Sequence, residues 1–270
     1  MATITKPQGA LVDLTKCIGC RGCQVTCKSW NQRSTKKTQM TGNFTSPGDM
    51  NSETYTLVKF IENDKDADVT WDFIKVQCMH CKNPACASAC PVGAFTKTPA
   101  GPVTYEPEKC IGCRYCMMAC PFQIPKYEWD KKYPVVQKCT FCAERIADGM
   151  EPACVKTCPP NAIIFGDHDK ILAEAERRIK EHPEKYVNHI YGKEEAGGTA
   201  WMYLSSVPFD KMGFKAGIPK GPLPDLTWAS LSKIPYAVGG LAVILSAIAF
   251  IRNRGNSDSA VPPDEKGKEG

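Results

Sequence analysis

The chain has 270 residues, a formal net charge of +5 and 43% hydrophobic residues. That length suits one large domain or two small ones, and the ordinary charged fraction of 23% argues against wholesale disorder. The basic excess is spread along the chain without a dense Lys/Arg block, so nucleic-acid binding is not predicted. Residues 1–11 lack an apolar stretch long enough for a secretory signal, and the chain by itself is not expected to be exported.

All 16 cysteines lie between Cys17 and Cys158, which predicts a single compact device. The first group, Cys17, Cys20, Cys23 and Cys27, has the spacing C-x2-C-x2-C-x3-C. This run is typical of bacterial ferredoxins, in which three thiolates hold three irons of a [4Fe-4S] cube and the fourth reaches a neighbouring cluster. The spacing therefore predicts iron-sulfur chemistry.

A long polar insertion follows, over residues 28–77. Within it, residues 54–62 and 69–77 are rich in Val, Ile, Thr and aromatic residues and flank the turn-like segment 63–66. This pattern predicts a β-hairpin. We expect the hairpin to cover the cysteine groups without a catalytic role.

Three further cysteine groups follow the hairpin. One repeats the spacing of the first group, one stretches a gap to four residues, and the last has an eleven-residue insertion before its final pair. All three end in C-x3-C followed by proline. They are Cys78, Cys81, Cys86 and Cys90; Cys110, Cys113, Cys116 and Cys120; and Cys139, Cys142, Cys154 and Cys158.

The chain beyond the last cysteine predicts one helix and one strand. A helix is expected from Asp167 or Asp169 through His182, with apolar residues on one side. A further strand is predicted over residues 199–207, after two glycines. Residues 201–233 as a whole are assigned to an extended linker.

The segment 234–251 is apolar and has eighteen residues without a charge. As a helix it is about 27 Å long, enough to cross a hydrocarbon core. Arg252 and Arg254 follow it and favour a cytoplasmic C-terminus, which leaves the cysteine domain on the outer face and residues 252–270 as a polar tail. The segment contains no histidine, so any membrane haem or quinone chemistry is expected to belong to a membrane partner.

Disulfides and zinc are the alternatives to iron-sulfur clusters. Runs of cysteines at two-residue gaps are poorly placed to bridge one another, and no secretory signal supports an oxidising compartment. Zinc sites use two C-x2-C pairs or a Cys/His mixture, whereas here short runs carry the cysteines and the chain has only 4 histidines. A zinc-organised interaction scaffold remains the alternative of a different class.

Sixteen thiolates divide into four [4Fe-4S] clusters with no ligand left over. The coordination of every iron is then complete, so no vacant position is left on a metal for a substrate. The sequence thus predicts a non-catalytic chain that transfers electrons. Each oxidised cluster carries about −2, so four clusters offset the basic excess of the chain.

Distance along the chain predicts which cysteines share a cluster. The second and third groups are separated by a short connector, as in a two-cluster ferredoxin, and are expected to exchange their fourth ligands; the first and fourth groups then pair around them. The first set is Cys17, Cys20, Cys23 and Cys158; the second set is Cys27, Cys139, Cys142 and Cys154; the third set is Cys78, Cys81, Cys86 and Cys120; the fourth set is Cys90, Cys110, Cys113 and Cys116.

The predicted fold is α+β, with two nested ferredoxin-like two-cluster modules, a β-hairpin insertion and a single C-terminal transmembrane helix. The outer module takes residues 1–77 and 121–200, the inner module takes residues 78–120, and the transmembrane helix takes residues 234–251. Two side chains near the groups are also of interest. His80 is expected to face solvent or the backbone, and Lys126 is a candidate for raising the reduction potential of a cluster.

The chain resembles the iron-sulfur β subunit of membrane-bound molybdenum or tungsten formate dehydrogenases over nearly its whole length. The resemblance rests on the stretches Leu-Thr-Lys-Cys-Ile-Gly-Cys at 14–20, Cys-Gln-Val-Thr-Cys at 23–27 and Glu-Pro-Ala-Cys-Val-Lys-Thr-Cys-Pro at 151–159. It implies electron transfer between a pterin-bearing catalytic subunit, nearest the first set, and a membrane cytochrome b or quinone-binding subunit, nearest the fourth. It also implies export in the folded state, bound to a partner that carries the signal.

Residues 77–117 look equally like the iron-sulfur subunit of a membrane-bound nickel-iron hydrogenase. The same four-cluster module serves dimethyl sulfoxide, polysulfide and nitrate reductases. The choice of complex therefore stays open on the sequence alone, and the predicted location is the cytoplasmic (inner) membrane.

Overall fold

The computed structural model describes residues 6–35, 38, 42–65 and 68–257. The chain divides into two compact units, Met1–Pro224 and Asp225–Gly270, which are described separately. The strands are β1 (Gln8–Asp13), β2 (Thr56–Lys65), β3 (Asp68–Gln77), β4 (Phe95–Lys97), β5 (Val103–Tyr105), β6 (Lys126–Tyr127), β7 (Val136–Gln137), β8 (Ile163–Asp167) and β9 (Trp201–Leu204). The helices are α1 (Gly22–Trp30), α2 (Ala85–Ser88), α3 (Tyr115–Ala119), α4 (Ala143–Ala147), α5 (Ala153–Lys156), α6 (His168–Glu181), α7 (Leu223–Leu231) and α8 (Ile234–Ser257).

A three-stranded sheet in the order β8-β1-β9 lies at the core of the first unit. β1 pairs antiparallel with β8 and parallel with β9. On one face, Leu11 and Met202 pack with Ile171 of α6. On the other face, Val12 and Trp201 belong to a core cluster that includes cysteine side chains. The sheet is covered on both sides, which explains its continuous apolar runs.

The extended linker expected over residues 201–233 is wrong at both ends. Trp201–Leu204 is strand β9, which is buried along its whole length, and Leu223–Leu231 is helix α7. β9 forms because burying its apolar Trp-Met-Tyr-Leu side chains in the sheet is more favourable than exposing them to water in a linker. The strand predicted over 199–207 exists but is shorter.

Strands β2 and β3 form a two-stranded antiparallel sheet. Their pairing continues to Lys65↔Asp68, so residues 63–65, predicted as part of a turn, belong to a strand instead. Cross-strand pairs stabilise such ladders, which is why the strand extends beyond its apolar stretch. Residues 66 and 67 lie outside the described part of the chain.

Two strand pairs follow the same plan relative to the cysteines. β4 begins five residues after Cys90 and pairs with β5, which ends just before Cys110. β8 begins five residues after Cys158 and pairs with β1, which ends just before Cys17. In both cases an antiparallel pair connects the end of one cysteine group to the start of another.

Helix α6 matches the helix predicted between residues 167 and 182. Asp167 caps it, since its Oδ1 accepts a hydrogen bond from the Asp169 backbone N–H at 3.1 Å. Its apolar side, including Ile171 and Ala175, is buried against the sheet. The helix therefore covers the sheet face that points away from the cysteines.

A buried carboxylate ties the end of β1 to α6. Asp13 is fully buried, and its Oδ2 lies 3.0 Å from Nη1 of Arg178 and accepts a hydrogen bond from the Tyr186 hydroxyl at 2.8 Å. Its Oδ1 accepts hydrogen bonds from the backbone N–H and hydroxyl of Thr15. Asp13 thus stabilises the strand end that leads directly into Cys17.

The second unit consists of α8 and most of α7. Residues Leu223–Arg254 are long and apolar enough to cross a membrane, with a mean hydropathy of 2.2, and no residue of their apolar window is buried within the chain. The helix continues through residues 252–257, which were predicted as tail, because Arg and Asn are tolerated in a helix and no proline intervenes. Residues 258–270 lie outside the described part.

We predict that Asp13→Ala lowers the stability of the first unit by about 1–3 kcal/mol, because it removes a fully buried carboxylate and leaves the Tyr186 hydroxyl and Nη1 of Arg178 without their acceptor. The measurement is thermal denaturation followed by circular dichroism. Arg177→Ala is the control, since Arg177 lies next along the same helix but makes exposed ion pairs with Glu174 and Glu181. A drop for Arg177→Ala as large as that for Asp13→Ala would contradict the assignment.

Candidate metal centre

The first C-x2-C pair of each cysteine group has the same backbone turn. In each pair the residue just before the second cysteine has a positive φ: 66° at Gly19, 48° at His80, 70° at Gly112 and 55° at Phe141. The left-handed conformation turns the chain back, so both thiols of a pair face the same side. The four groups therefore present their sulfur atoms in one common local geometry.

Glycine is required at two of these turns, because at each a neighbouring side chain leaves no space for a Cβ. A Cβ at Gly19 would lie 2.7 Å from the Phe73 ring, and a Cβ at Gly112 would lie 2.9 Å from the Tyr127 hydroxyl. At the other two turns the side chains are core residues. His80 and Phe141 are 0% and 1% exposed, and their ring centroids are 5.0 Å apart. Burial offsets the strain of about 1–2 kcal/mol that an L-residue has in this region.

Short helices carry five of the remaining cysteines, and the other three follow the ends of such helices; the five are Cys23, Cys27, Cys86, Cys116 and Cys154, and the three are Cys90, Cys120 and Cys158. Arg21 and Arg114 are also left-handed, at φ 59° and 65°, and each precedes a helix, α1 or α3. α1 and α5 contact each other, and the hydroxyls of Thr26 and Thr157 lie 3.0 Å apart. α2 and α3 contact each other in the same way. These contacts bring the last cysteine of one group towards the first cysteines of another.

The thiols of Cys17, Cys20, Cys23 and Cys158 are neighbours. Burial raises the pKa of Cys17, and repulsion from the thiolates of Cys158 and Cys20 raises it further. Burial raises the pKa of Cys23 to about 12, with further repulsion from Cys154 first and then from Cys17 and Cys158. Because such repulsion weakens with distance, it identifies sulfur atoms that lie close together.

The thiols of the second group of neighbours are Cys27, Cys139, Cys142 and Cys154. Burial raises the pKa of Cys27 to about 11, and the thiolates of Cys154 and Cys142 add to the rise. Burial also raises the pKa of Cys139 well above its usual range, and repulsion from the Cys27 thiolate is the largest electrostatic contribution to that rise. All four of these side chains are buried.

Cys81 and Cys116 sit at the centres of the other two groups. Burial raises the pKa of Cys81 well above its usual range, followed by repulsion from Cys78, Cys120 and Cys86. Burial raises the pKa of Cys116 to about 12, and three thiolates repel its charge in turn. These belong to Cys110, Cys113 and Cys90.

The four neighbourhoods are also linked to one another in a row. Cys23 interacts with Cys154, Cys139 interacts with Cys78, and Cys86 interacts with Cys116. Each of these pairs joins one neighbourhood to the next.

The donor chemistry suits iron-sulfur clusters. All sixteen cysteines are free thiols, and thiolate is the ligand that such clusters use. Backbone N–H groups donate to Sγ of Cys90, Cys110 and Cys139 at 3.3–3.4 Å, which stabilises the charged sulfur that a bound metal requires. Within the described residues, no three or more His, Cys, Asp or Glu side chains are arranged to hold a single metal ion.

Two residues considered from the sequence have defined surroundings. Nδ1 of His80 accepts a hydrogen bond from the Val103 backbone N–H at 2.9 Å, so the expected backbone bond is present, although the ring is buried. Lys126 lies 3.6 Å from a carboxylate oxygen of Asp49, which offsets its charge. The candidate role of Lys126 in raising a potential is weakened accordingly.

Sequence reasoning missed three lysines that lie inside the protein near the cysteines. Lys75 and Lys138 are buried and Lys97 is partly buried. Lys75 lies in an aromatic and aliphatic stretch, Phe-Ile-Lys-Val at 73–76, but Lys59 lies in a similar stretch and forms an ion pair near the surface, so this pattern is no signal. The alternation of side chains along a strand does not decide which face of β3 the Lys75 side chain takes.

Comparison with known proteins is consistent with this chemistry. Residues 16–94 and 69–168 each match a 4Fe-4S dicluster domain family. Two dicluster domains and sixteen cysteines support four [4Fe-4S] clusters.

Several of the similar proteins are iron-sulfur subunits of formate dehydrogenases. The chain is 37% identical to the iron-sulfur subunit of the nitrate-inducible formate dehydrogenase of Escherichia coli K12, over 89% of this chain and 82% of that protein. It is 39% identical to the formate dehydrogenase iron-sulfur subunit of Haemophilus influenzae, over 86% and 77%. It is 35% identical to the hydrogenase-2 operon protein HybA of E. coli O157:H7, over 76% and 71%. With cysteine groups in the described arrangement and identities of this extent, the chain belongs to the family of iron-sulfur subunits of formate dehydrogenases.

Proposed function

We propose that this chain relays electrons between a catalytic subunit with a molybdenum or tungsten pterin and a membrane cytochrome b or quinone-binding subunit of a formate dehydrogenase. The observation that carries the proposal is the row of four cysteine neighbourhoods. Their membership supports the first to fourth sets as the ligand sets of four clusters. When bound, the clusters supply one-electron redox centres.

The ligand exchange has support from the helix contacts. Contact between α1 and α5 supports the exchange in which Cys158 serves the first set and Cys27 serves the second. Contact between α2 and α3 supports the corresponding exchange of Cys120 and Cys90 between the third and fourth sets.

Two nested ferredoxin-like modules account for the strand pairs. The inner module, residues 78–120, connects its two cysteine groups through β4 and β5. The outer module connects the groups at its two ends through β8 and β1, which are far apart in sequence. The β2–β3 hairpin is an insertion into this outer module, and β9 adds a third strand to it.

The two ends of the row are suited to contact partners. Ile18 beside Cys17 and Ile111 beside Cys110 occupy equivalent positions and are 59% and 65% exposed. Val25 and Met118, two residues after Cys23 and Cys116, are also exposed. Exposed apolar side chains of this kind mark contact surfaces, whereas the cysteines of the second set are all buried. Electrons then enter and leave at the first and fourth sets.

The chain itself is proposed to be non-catalytic. Each set uses four thiolates for one cube, so the ligands leave no open coordination position for a substrate. The residues of this chain bind and orient the clusters, shield the inner sets from water, and hold the partners at the two ends.

The apolar helix supports a single-pass location in the cytoplasmic membrane. Arg252 and Arg254 support a cytoplasmic C-terminus, with the cluster domain on the outer face.

A hydrogenase complex is the second candidate, favoured by the similarity to HybA. Copurification of the chain with its partners and metal analysis decides between the two. Molybdenum or tungsten in the purified complex supports formate dehydrogenase, and nickel supports a hydrogenase.

We predict about 16 iron atoms per chain after anaerobic purification, with a brown absorbance that dithionite bleaches. Metal analysis and absorption spectra of the same sample are the measurements. Zinc in place of iron, in a colourless protein without a redox response, would support the interaction scaffold instead.

We predict that Cys158→Ser and Cys154→Ser alter different clusters, although they lie four positions apart. The first variant is expected to change the EPR signal of the cluster bound by Cys17, Cys20 and Cys23. The second is expected to change that of the cluster bound by Cys27, Cys139 and Cys142. If both variants alter the same signal, the ligand exchange is wrong.

We predict that Leu245→Arg reduces membrane integration of the chain. A charge at the centre of a spanning helix costs about 2.5–3.5 kcal/mol on insertion scales. The measurement is the fraction of chain that stays in the membrane pellet after an alkaline wash. Leu245→Ala is the control and is expected to stay in the pellet, so equal extraction of both variants would contradict a spanning helix.

A further inference from the structure

Three lysines lie inside the first unit. Lys75 and Lys138 are 1% and 3% exposed, and Lys97 is partly buried. Within the described residues none of the three forms an ion pair, whereas other lysines such as Lys126 and Lys109 do. Burial of an ammonium group is costly unless a charge compensates it, and lysine is therefore rarely buried alone.

Neutral groups provide the hydrogen bonds of these lysines. Nζ of Lys75 donates to Oε1 of Gln77 at 2.8 Å and lies 4.2 Å from the ring centre of Trp201. Nζ of Lys138 donates to the carbonyl oxygens of Cys139, at 3.1 Å, and Val103. These partners solvate an ammonium group but leave its charge uncompensated.

Nζ of Lys97 donates to the carbonyl oxygens of His80 and Gly101. His80 lies within electrostatic reach of all three lysines. Its Nδ1 accepts a hydrogen bond from the Val103 N–H, so the neutral ring provides no compensating charge. Three cations thus share one region of the interior, and nothing among these contacts balances them.

The anions that face these lysines are the cysteine thiolates. The positive charge of Lys75 favours the thiolate form of Cys17 and Cys23 in the first set and lowers their pKa. It has the same effect on Cys27, Cys139 and Cys142 in the second set. This reach follows from its place on β3, near the end of the inserted hairpin.

The other two lysines face the third set. Lys97 acts on Cys81 and Cys78, and Lys138 acts on Cys86. The largest influences on Cys116 in the fourth set are burial and the thiolates of Cys110, Cys113 and Cys90.

We propose that Lys75, Lys97 and Lys138 are built-in counter-charges that raise the reduction potentials of the clusters in the first three sets. The proposal rests on the cluster assignment of the proposed function. Lys75 serves the first and second sets, and Lys97 and Lys138 serve the third. The inserted hairpin thereby contributes a positioning residue for electron transfer, beyond covering the cysteines.

The sign of the effect follows from electrostatics. Reduction adds one negative charge to a cluster that is already anionic. A fixed cation nearby stabilises the reduced form more than the oxidised form, so it raises the potential. Removal of the cation must lower the potential of the clusters it faces and of no others.

The test is an EPR-monitored redox titration of the complete complex, purified anaerobically, with Lys75→Met. The first-set and second-set potentials are expected to fall enough to change the reduction equilibrium at least tenfold, about 59 mV for one electron. The fourth-set potential is expected to stay the same. The cluster signals are assigned beforehand with Cys158→Ser and Cys154→Ser, and iron content is measured to show that all clusters remain.

Lys97→Met is the second variant, at a site that is less buried and better able to accept a neutral side chain. It is expected to lower the third-set potential and leave the first-set potential unchanged. Lys126→Met is the matched control. It also removes one ammonium group, but that group is paired with Asp49, so little change is expected at any cluster.

Unchanged first-set and second-set potentials in Lys75→Met, or an equal shift in Lys126→Met, would overturn the proposal. Loss of clusters in both Lys75→Met and Lys97→Met would overturn it too, because that result makes the lysines requirements for assembly. If the unaltered complex shows no iron-sulfur signals, the proposed function itself fails. That outcome is distinct from normal signals whose potentials ignore the lysines.

Discussion

Repulsion between buried thiolates is the constraint on which the rest of this structure depends. Sixteen cysteines lie close together in a protein of 270 residues, and burial raises the pKa of most of those with a resolved shift. Such a set is stable as thiolates only when metal ions bind it, since a metal replaces the proton and neutralises the charge. Folding of the first unit and loading of its clusters are therefore linked, and the fold serves mainly to hold sulfur atoms at fixed positions.

The backbone solves this problem with one device used four times. A left-handed residue before the second cysteine of each group directs the first two thiols of that group to the same side, whatever the side chain at that position. Glycine occupies the turn where a neighbour leaves no space for a Cβ, as at Gly19 and Gly112. Where the turn faces the core, His80 and Phe141 occupy it and pack on each other. The same local geometry thus serves both exposed and buried positions.

The cysteine spacings predicted the iron-sulfur chemistry because metal ligation imposes strict local distances that appear directly in sequence. Helix α6 was predicted from a capping aspartate and an apolar side, which are also local features. Strand β9 was harder to place, because it pairs with β1 from almost two hundred residues away and its pairing depends on tertiary contacts. The buried lysines were missed for a related reason. No local pattern distinguishes Lys75, which enters the core, from Lys59 on the paired strand, which forms an ion pair with Asp49 near the surface.

Identical motifs need not give identical clusters, and the surroundings of the first and third cysteine groups show why. Both groups have the same spacing, the same turn and the same exposed isoleucine after the first cysteine. Lys75 faces Cys17 and Cys23, whereas the largest electrostatic influences on Cys116 are neighbouring thiolates. The difference comes from an inserted hairpin outside every motif. Ligand residues decide that a cluster binds, and residues elsewhere in the fold decide how readily it accepts an electron. A repeated module can therefore evolve into a directional relay without any change in its cysteines.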